Sequence, residues 1–152
     1  MASVLLVEDD VFKSDEIQSH LVGLNPAPTI RLATSVSSAI AAIQAHPFDL
    51  IILDMALPSH TPTPGAGAPL SLLTGGLEVL FELQSLGRRD PCLIVTQYPE
   101  IEICNVFYPL SVASQAIHEN YDLRVLDCVE YAESRSQWRV TLTNIYAKVC
   151  AS

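Results

Sequence analysis

A chain of 152 residues with 49% apolar and only 16% charged side chains is long enough for one folded core and too apolar for disorder. Seventeen acidic residues against eight basic ones give a formal net charge of -9, and Arg88-Arg89 is the largest basic cluster, so neither nucleic acid nor an acidic membrane surface is an expected partner. No basic, apolar leader opens the chain, no apolar run is long enough to span a bilayer, and Cys92, Cys104, Cys128 and Cys150 form no CxxC pair; a reducing, cytoplasmic setting is expected.

Five short runs rich in β-branched residues or Leu read as strands: Val4–Val7, Thr29–Leu32, Leu50–Leu53, Leu93–Thr96 and Val125–Val129. Helical spacing follows most of them: Ile17, Leu21 and Leu24; then Val36, Ile40 and Ile43; then Leu77, Leu80, Phe81 and Leu83; and lastly Trp138, Leu142, Ile145 and Val149, with Ser134 or Ser136 as the N-cap. Between strands four and five, Pro99 is placed to open a helix at Glu100 and Pro109 to interrupt it, which predicts two short helical pieces. Strands one, three and four are apolar throughout, as strands covered on both faces must be, so the expected fold is a parallel sheet with helices on both sides. Residues 1–152 read as a single domain. Residues 57–76 depart from the alternation, holding Pro58, Pro62, Pro64 and Pro69 with Gly65, Gly67, Gly75 and Gly76, and read as a long loop inserted after the third strand.

In open α/β sheets, ligands bind beyond the carboxyl ends of the strands. The first strand runs into Glu8-Asp9-Asp10 and the third into Asp54, so both deliver carboxylates to one edge. Two carboxylates about 5 Å apart repel by roughly 3 kcal/mol at an effective dielectric of 20, and oxygen-only donors of this kind suit Mg²⁺. Asp10 is placed to cap the following helix, whereas Asp54, followed by Met55-Ala56-Leu57-Pro58, has no helix to cap. The fourth strand ends in Thr96, a hydroxyl at the same edge.

Together these segments resemble a known family. Leu5-Leu6-Val7-Glu8-Asp9-Asp10, Asp49-Leu50-Ile51-Ile52-Leu53-Asp54-Met55-Ala56-Leu57-Pro58 and Leu93-Ile94-Val95-Thr96 are similar to the first, third and fourth strand motifs of two-component response-regulator receiver domains of the chemotaxis-regulator kind. The resemblance implies a flavodoxin-like (βα)5 domain with strand order 2-1-3-4-5 that accepts a phosphoryl group from a histidine kinase or phosphotransfer protein and signals through a downstream protein contact. It implies Asp54 as phosphoacceptor, Mg²⁺ held by Asp9, Asp54 and the Ala56 carbonyl with Glu8 acting through water, and Thr96 turned toward the phosphoryl group. Beyond autocatalytic phosphoryl acceptance, no enzyme activity is implied.

The sequence departs from the family at the fifth strand. The family keeps a lysine there, and Glu130 is the residue matched to it, with Asp127 or Cys128 where an aromatic switch residue is expected. Lys13, early in the first helix, is the only lysine close enough in sequence to the acidic residues to substitute for it, and a solvated helix residue is the favoured reading of it. Gln97 and Tyr98 are bulkier than the residues the family has after its threonine. The final helix is expected to end with the chain near Cys150, which makes a stand-alone receiver the first expectation. A receiver-like interaction module that works without phosphorylation is the alternative, and a metal-dependent phosphatase with Asp54 as nucleophile ranks last, because Ala56 breaks the Asp-x-Asp pattern that chemistry uses.

Overall fold

The computed structural model describes residues 1–60, 71–72, 74–133 and 136–150. In chain order the elements are β1 (Ser3–Val7), α1 (Val11–Val22), β2 (Thr29–Ala33), α2 (Val36–Ala45), β3 (Leu50–Leu53), β4 (Leu57–Pro58), β5 (Ser71–Leu72), α3 (Gly75–Ser85), β6 (Cys92–Thr96), β7 (Glu100–Ile103), β8 (Val106–Pro109), α4 (Leu110–Tyr121), β9 (Asp127–Glu130) and α5 (Gln137–Val149). Strands β2-β1-β3-β6-β9 form one parallel sheet in that order. Counting only these five strands, this is the flavodoxin-like order 2-1-3-4-5 read from the sequence, with the chain's reversal point between β1 and β3.

Because strand side chains alternate, every central strand feeds both faces of the sheet. Leu5, Val7, Ile51, Leu53, Ile94 and Cys128 pack with α2, α3 and α4. Val4, Leu6, Leu50, Ile52, Leu93, Val95 and Val129 meet Ile17 and Leu21 of α1 and Trp138, Leu142 and Tyr146 of α5. The apolar core therefore lies in two layers separated by the sheet, and β1, β3 and β6 all stop at its carboxyl edge. At the opposite edge Asp90 ties two loops together: it accepts from Phe48 N–H (2.9 Å) and pairs with Arg88 (Nη2–Oδ2 2.5 Å, Nε–Oδ1 3.1 Å). Burial works to raise its pKa, but the Arg88 hydrogen bonds, the Phe48 N–H and the Arg88 charge hold the carboxyl below its ordinary value.

Three expectations are corrected. Residues 100–109 form an antiparallel hairpin, not a helix, and Pro109 stands at the N-cap of a single helix, α4. Glu100-Ile101-Glu102-Ile103 alternates exposed and buried, and Cys104 and Asn105 both take positive φ (53° and 65°), the conformation that a tight two-residue hairpin turn needs. Gly75 and Gly76 belong to the first turn of α3, and the segment before it is closed at its base by antiparallel pairing of Leu57 with Leu72 and Pro58 with Ser71. Phe81, assigned to the inner face of its helix, is exposed on one side and meets the Tyr121 ring edge-on at 5.2 Å. Ser136 stands at the N-cap of α5 without a side-chain bond to the helix, and Ser134 lies outside the described residues.

Candidate functional site

The acidic edge is organised by Lys13. Asp10 caps α1 by accepting from the Lys13 backbone N–H (3.0 Å), which sets where the helix begins. Lys13 then lies four residues before Ile17 and eight before Leu21, on the stripe of α1 that faces the sheet. Its stem runs inward along that apolar stripe, and its ammonium emerges at the end of the sheet. There Nζ lies 2.5 Å from Glu8 Oε1 and 3.1 Å from Asp54 Oδ2, and it donates to the Val95 carbonyl at 2.7 Å. Three N–H groups meet three oxygens, one from the end of each of β1, β3 and β6. Lys13 is only 1% exposed, Glu8 2% and Asp54 3%. The expectation of a solvated Lys13 is thus wrong. The signal that could have found it is its place on the Ile17–Leu21 stripe.

The other oxygens are also held. Asp54 Oδ1 accepts from Met55 N–H at 2.7 Å and, more loosely, from Ala56 N–H at 3.4 Å, while Glu8 Oε2 accepts from Asp10 N–H at 3.1 Å. Burial pushes the Glu8 carboxyl up to about 7, with the Asp54 charge adding to the rise and Lys13 opposing it. Two buried carboxylates share one ammonium, so the Lys13 charge offsets only part of what burial costs Glu8. Thr96 is fully buried at the end of β6, and its Oγ1 accepts from Tyr98 N–H at 3.3 Å. Gln97 and Tyr98 themselves are exposed.

Gly76 brings α3 against this site from below. Its N–H donates to the Met55 carbonyl at 3.0 Å, and a Cβ at this position would stand 2.6 Å from the Asp54 carbonyl oxygen. Only glycine allows the helix to approach the peptide next to Asp54 so closely.

Glu130, the residue matched to the family's lysine, pairs in register with Thr96, and its side chain makes no hydrogen bond or ion pair among the described residues. Alternation from Cys128 and Val129 directs Glu130 toward the layer of α2, α3 and α4, and the next residue, Tyr131, toward Lys13. The Tyr131 ring centre lies 5.8 Å from Lys13 Nζ, and its hydroxyl bonds Glu16. On the sheet face where Lys13 sits, the last strand therefore supplies an aromatic ring.

The donor set is chemically suited to a hard divalent cation: Glu8, Asp9 and Asp54 offer oxygen only, and the exposed Asp9 carboxylate has no hydrogen-bond partner among the described residues. Those acids do not converge as a ready-made cage among the described residues, because Lys13 spans Glu8 and Asp54. A carboxylate has more lone pairs than these contacts consume, so the residues fit such an ion.

Known proteins share the sequence and the fold. Over 140 residues the chain is 38% identical to the Detocs response regulatory protein DtcB of Vibrio alginolyticus, covering 90% of this chain and 93% of that protein. Among solved structures, the phosphorylated cyanobacterial phytochrome response regulator RcpA superposes with a TM-score of 0.67 at 20% identity, covering 99% of this chain and 96% of that one. The receiver domain of the sensor histidine kinase PA1611 from Pseudomonas aeruginosa PAO1, which has a magnesium ion coordinated in its active-site cleft, superposes with a TM-score of 0.61 at 21% identity, covering 99% and 98%. No protein-family model matches the sequence.

Proposed function

Because the chain belongs to the response-regulator receiver family, we propose that it accepts a phosphoryl group on Asp54 and passes the signal on through a protein contact. The observation that carries this is Asp54 itself: a buried carboxylate at the end of the central strand β3, with one oxygen fixed by the Met55 N–H and the other facing an ammonium. In the transfer, an Asp54 oxygen forms a bond to phosphorus while the bond from phosphorus to the donor breaks, and the electron pair leaves with the donor. The step needs alignment and charge stabilisation more than covalent machinery.

Glu8, Asp9, Asp54 and the Ala56 carbonyl would hold Mg²⁺, which when bound supplies positive charge to the phosphoryl oxygens. Thr96, buried at the end of the neighbouring strand, is the hydroxyl available to bond those oxygens once the group is in place. A histidine kinase or phosphotransfer protein is the proposed donor, a downstream protein the target, and the cytoplasm the setting. Among the described residues no helix is long and apolar enough to cross a membrane. Residues 57–76 are proposed to border the acceptor as an insertion, since β4 begins three residues after Asp54.

Incubation with Mg²⁺ and acetyl phosphate, followed by intact-mass measurement, tests this. A phosphate-sized adduct on the wild type that Asp54→Asn lacks is the expected result. Absence of an adduct, together with no Mg²⁺ binding in a titration, would overturn phosphoryl acceptance and leave a receiver fold that works as a phosphorylation-independent interaction module.

A further inference from the structure

We infer that Lys13 of helix α1 is the cation that meets the phosphoryl group on Asp54, the part that the family resemblance assigns to a lysine at the end of the last strand. This rests on Asp54 being the acceptor and adds which residue answers the charge that arrives there. The phosphoryl group brings roughly 1.5 to 2 negative charges into a pocket that already holds Glu8, and a low-dielectric site tolerates that only beside a positive group. The last strand does not provide one: Glu130 is acidic and directed to the other layer, and Tyr131 presents a ring. Of the chain's two lysines, Lys148 lies at the end of α5, whereas Lys13 Nζ is already within 3.1 Å of an Asp54 oxygen.

The ammonium is also held in advance. Its contacts with Glu8 and the Val95 carbonyl come from rigid strand ends, and its stem lies packed against the sheet, so it does not have to be ordered when the phosphoryl group arrives. A group bonded to an Asp54 oxygen enters the space next to Nζ, and the ammonium can exchange its Asp54 contact for a phosphoryl oxygen without leaving Val95.

Two measurements test the assignment. With Mg²⁺ and acetyl phosphate, Lys13→Met is expected to take up the phosphoryl group roughly 100-fold more slowly than the wild type while still binding Mg²⁺ in a titration. If Lys13→Met binds Mg²⁺ and is phosphorylated at the wild-type rate, with an adduct as long-lived, the inference is overturned although Asp54 remains the acceptor. If the wild type itself gains no adduct, phosphoryl acceptance fails instead. Should Lys13→Met not fold, the wild type still decides: with only two lysines, protein labelled with ¹³C at lysine Cε gives two side-chain signals, which Lys148→Arg assigns. Phosphorylation, or the phosphoryl mimic beryllium fluoride, should shift the Lys13 signal and leave Lys148 in place. An unmoved Lys13 signal in the phosphorylated protein overturns the inference.

Discussion

At the scale of single residues, the molecule treats its charges in two ways. Lys13 is tolerated inside because each N–H finds an oxygen, the condition under which a buried charge recovers part of its lost hydration. Asp90, at the opposite edge, is a fork with Arg88 and the Phe48 N–H, and here stability and pH are linked through a depressed carboxyl pKa. A carboxyl whose folded pKa lies below its unfolded value contributes stability that is present above the unfolded value of 3.8 and is lost as pH falls through the folded one. Asp90→Asn should therefore lower stability at pH 7 by about 1–2 kcal/mol, Arg88 being partly open to solvent. The gap between variant and wild type in urea unfolding should shrink as pH is taken below 3.8. A gap that stays constant down to acid unfolding would show that Asp90 acts there without its charge. Of the site residues, Asp54, Glu8 and Thr96 could be placed from the sequence because a strand's end is legible in its apolar run. Lys13 could be named as the lysine nearest the acids, but its burial could not be read, because a lysine on an apolar helical stripe looks like an interruption of it.

At the scale of elements, α3 depends on a contact that composition disguises. Gly75 and Gly76 read as part of a Pro/Gly loop, yet both are helical, and Gly76 sits where a methyl group would collide with the Asp54 carbonyl. Gly76→Ala should destabilise the chain by about 1–3 kcal/mol, despite alanine's better helix propensity, and should slow phosphoryl uptake by displacing the Asp54–Met55 peptide. Gly23→Ala is the control: its Cβ would meet nothing nearer than 3.5 Å, and its unfolding midpoint should stay close to the wild type. Equal midpoints for the two variants would remove Gly76 from the packing of the site. The β7–β8 hairpin was hidden for a related reason. Its turn is Cys104-Asn105, which lacks the glycine that usually marks two consecutive positive φ angles, while the flanking prolines imitate helix signals. Three of the five sheet strands were legible as unbroken apolar runs of a kind that burial on both faces favours, and the two edge strands from their β-branched or Leu-containing runs.

At the scale of the whole molecule, a charge of -9 is carried on a fold whose buried charged side chains, among the described residues, are those of the Lys13 cluster. Self-repulsion among surface carboxylates opposes compaction, and salt weakens it. Raising NaCl from about 0.01 M to about 0.15 M shortens the screening length from roughly 30 to 8 Å, so the urea midpoint should rise. The buried cluster should answer little to the same change, because its pairs lie out of reach of mobile ions; Lys13→Met should show the same salt response as the wild type. A falling midpoint would mean that attractive surface pairs outweigh the net repulsion.

The placement of the two lysines also decides how this molecule can be handled. Lys13 is sealed from solvent, so of the two lysines only the exposed Lys148 is open to amine-reactive reagents. Met1 precedes β1, and the end of α5 returns to the same margin, where Cys150 lies near Asp49 and Asp49 bonds Ser3. Lys148 thus stands on the margin opposite Asp54. Ordinary amine coupling should fix the protein to a surface facing one way, with its acidic edge toward the solution.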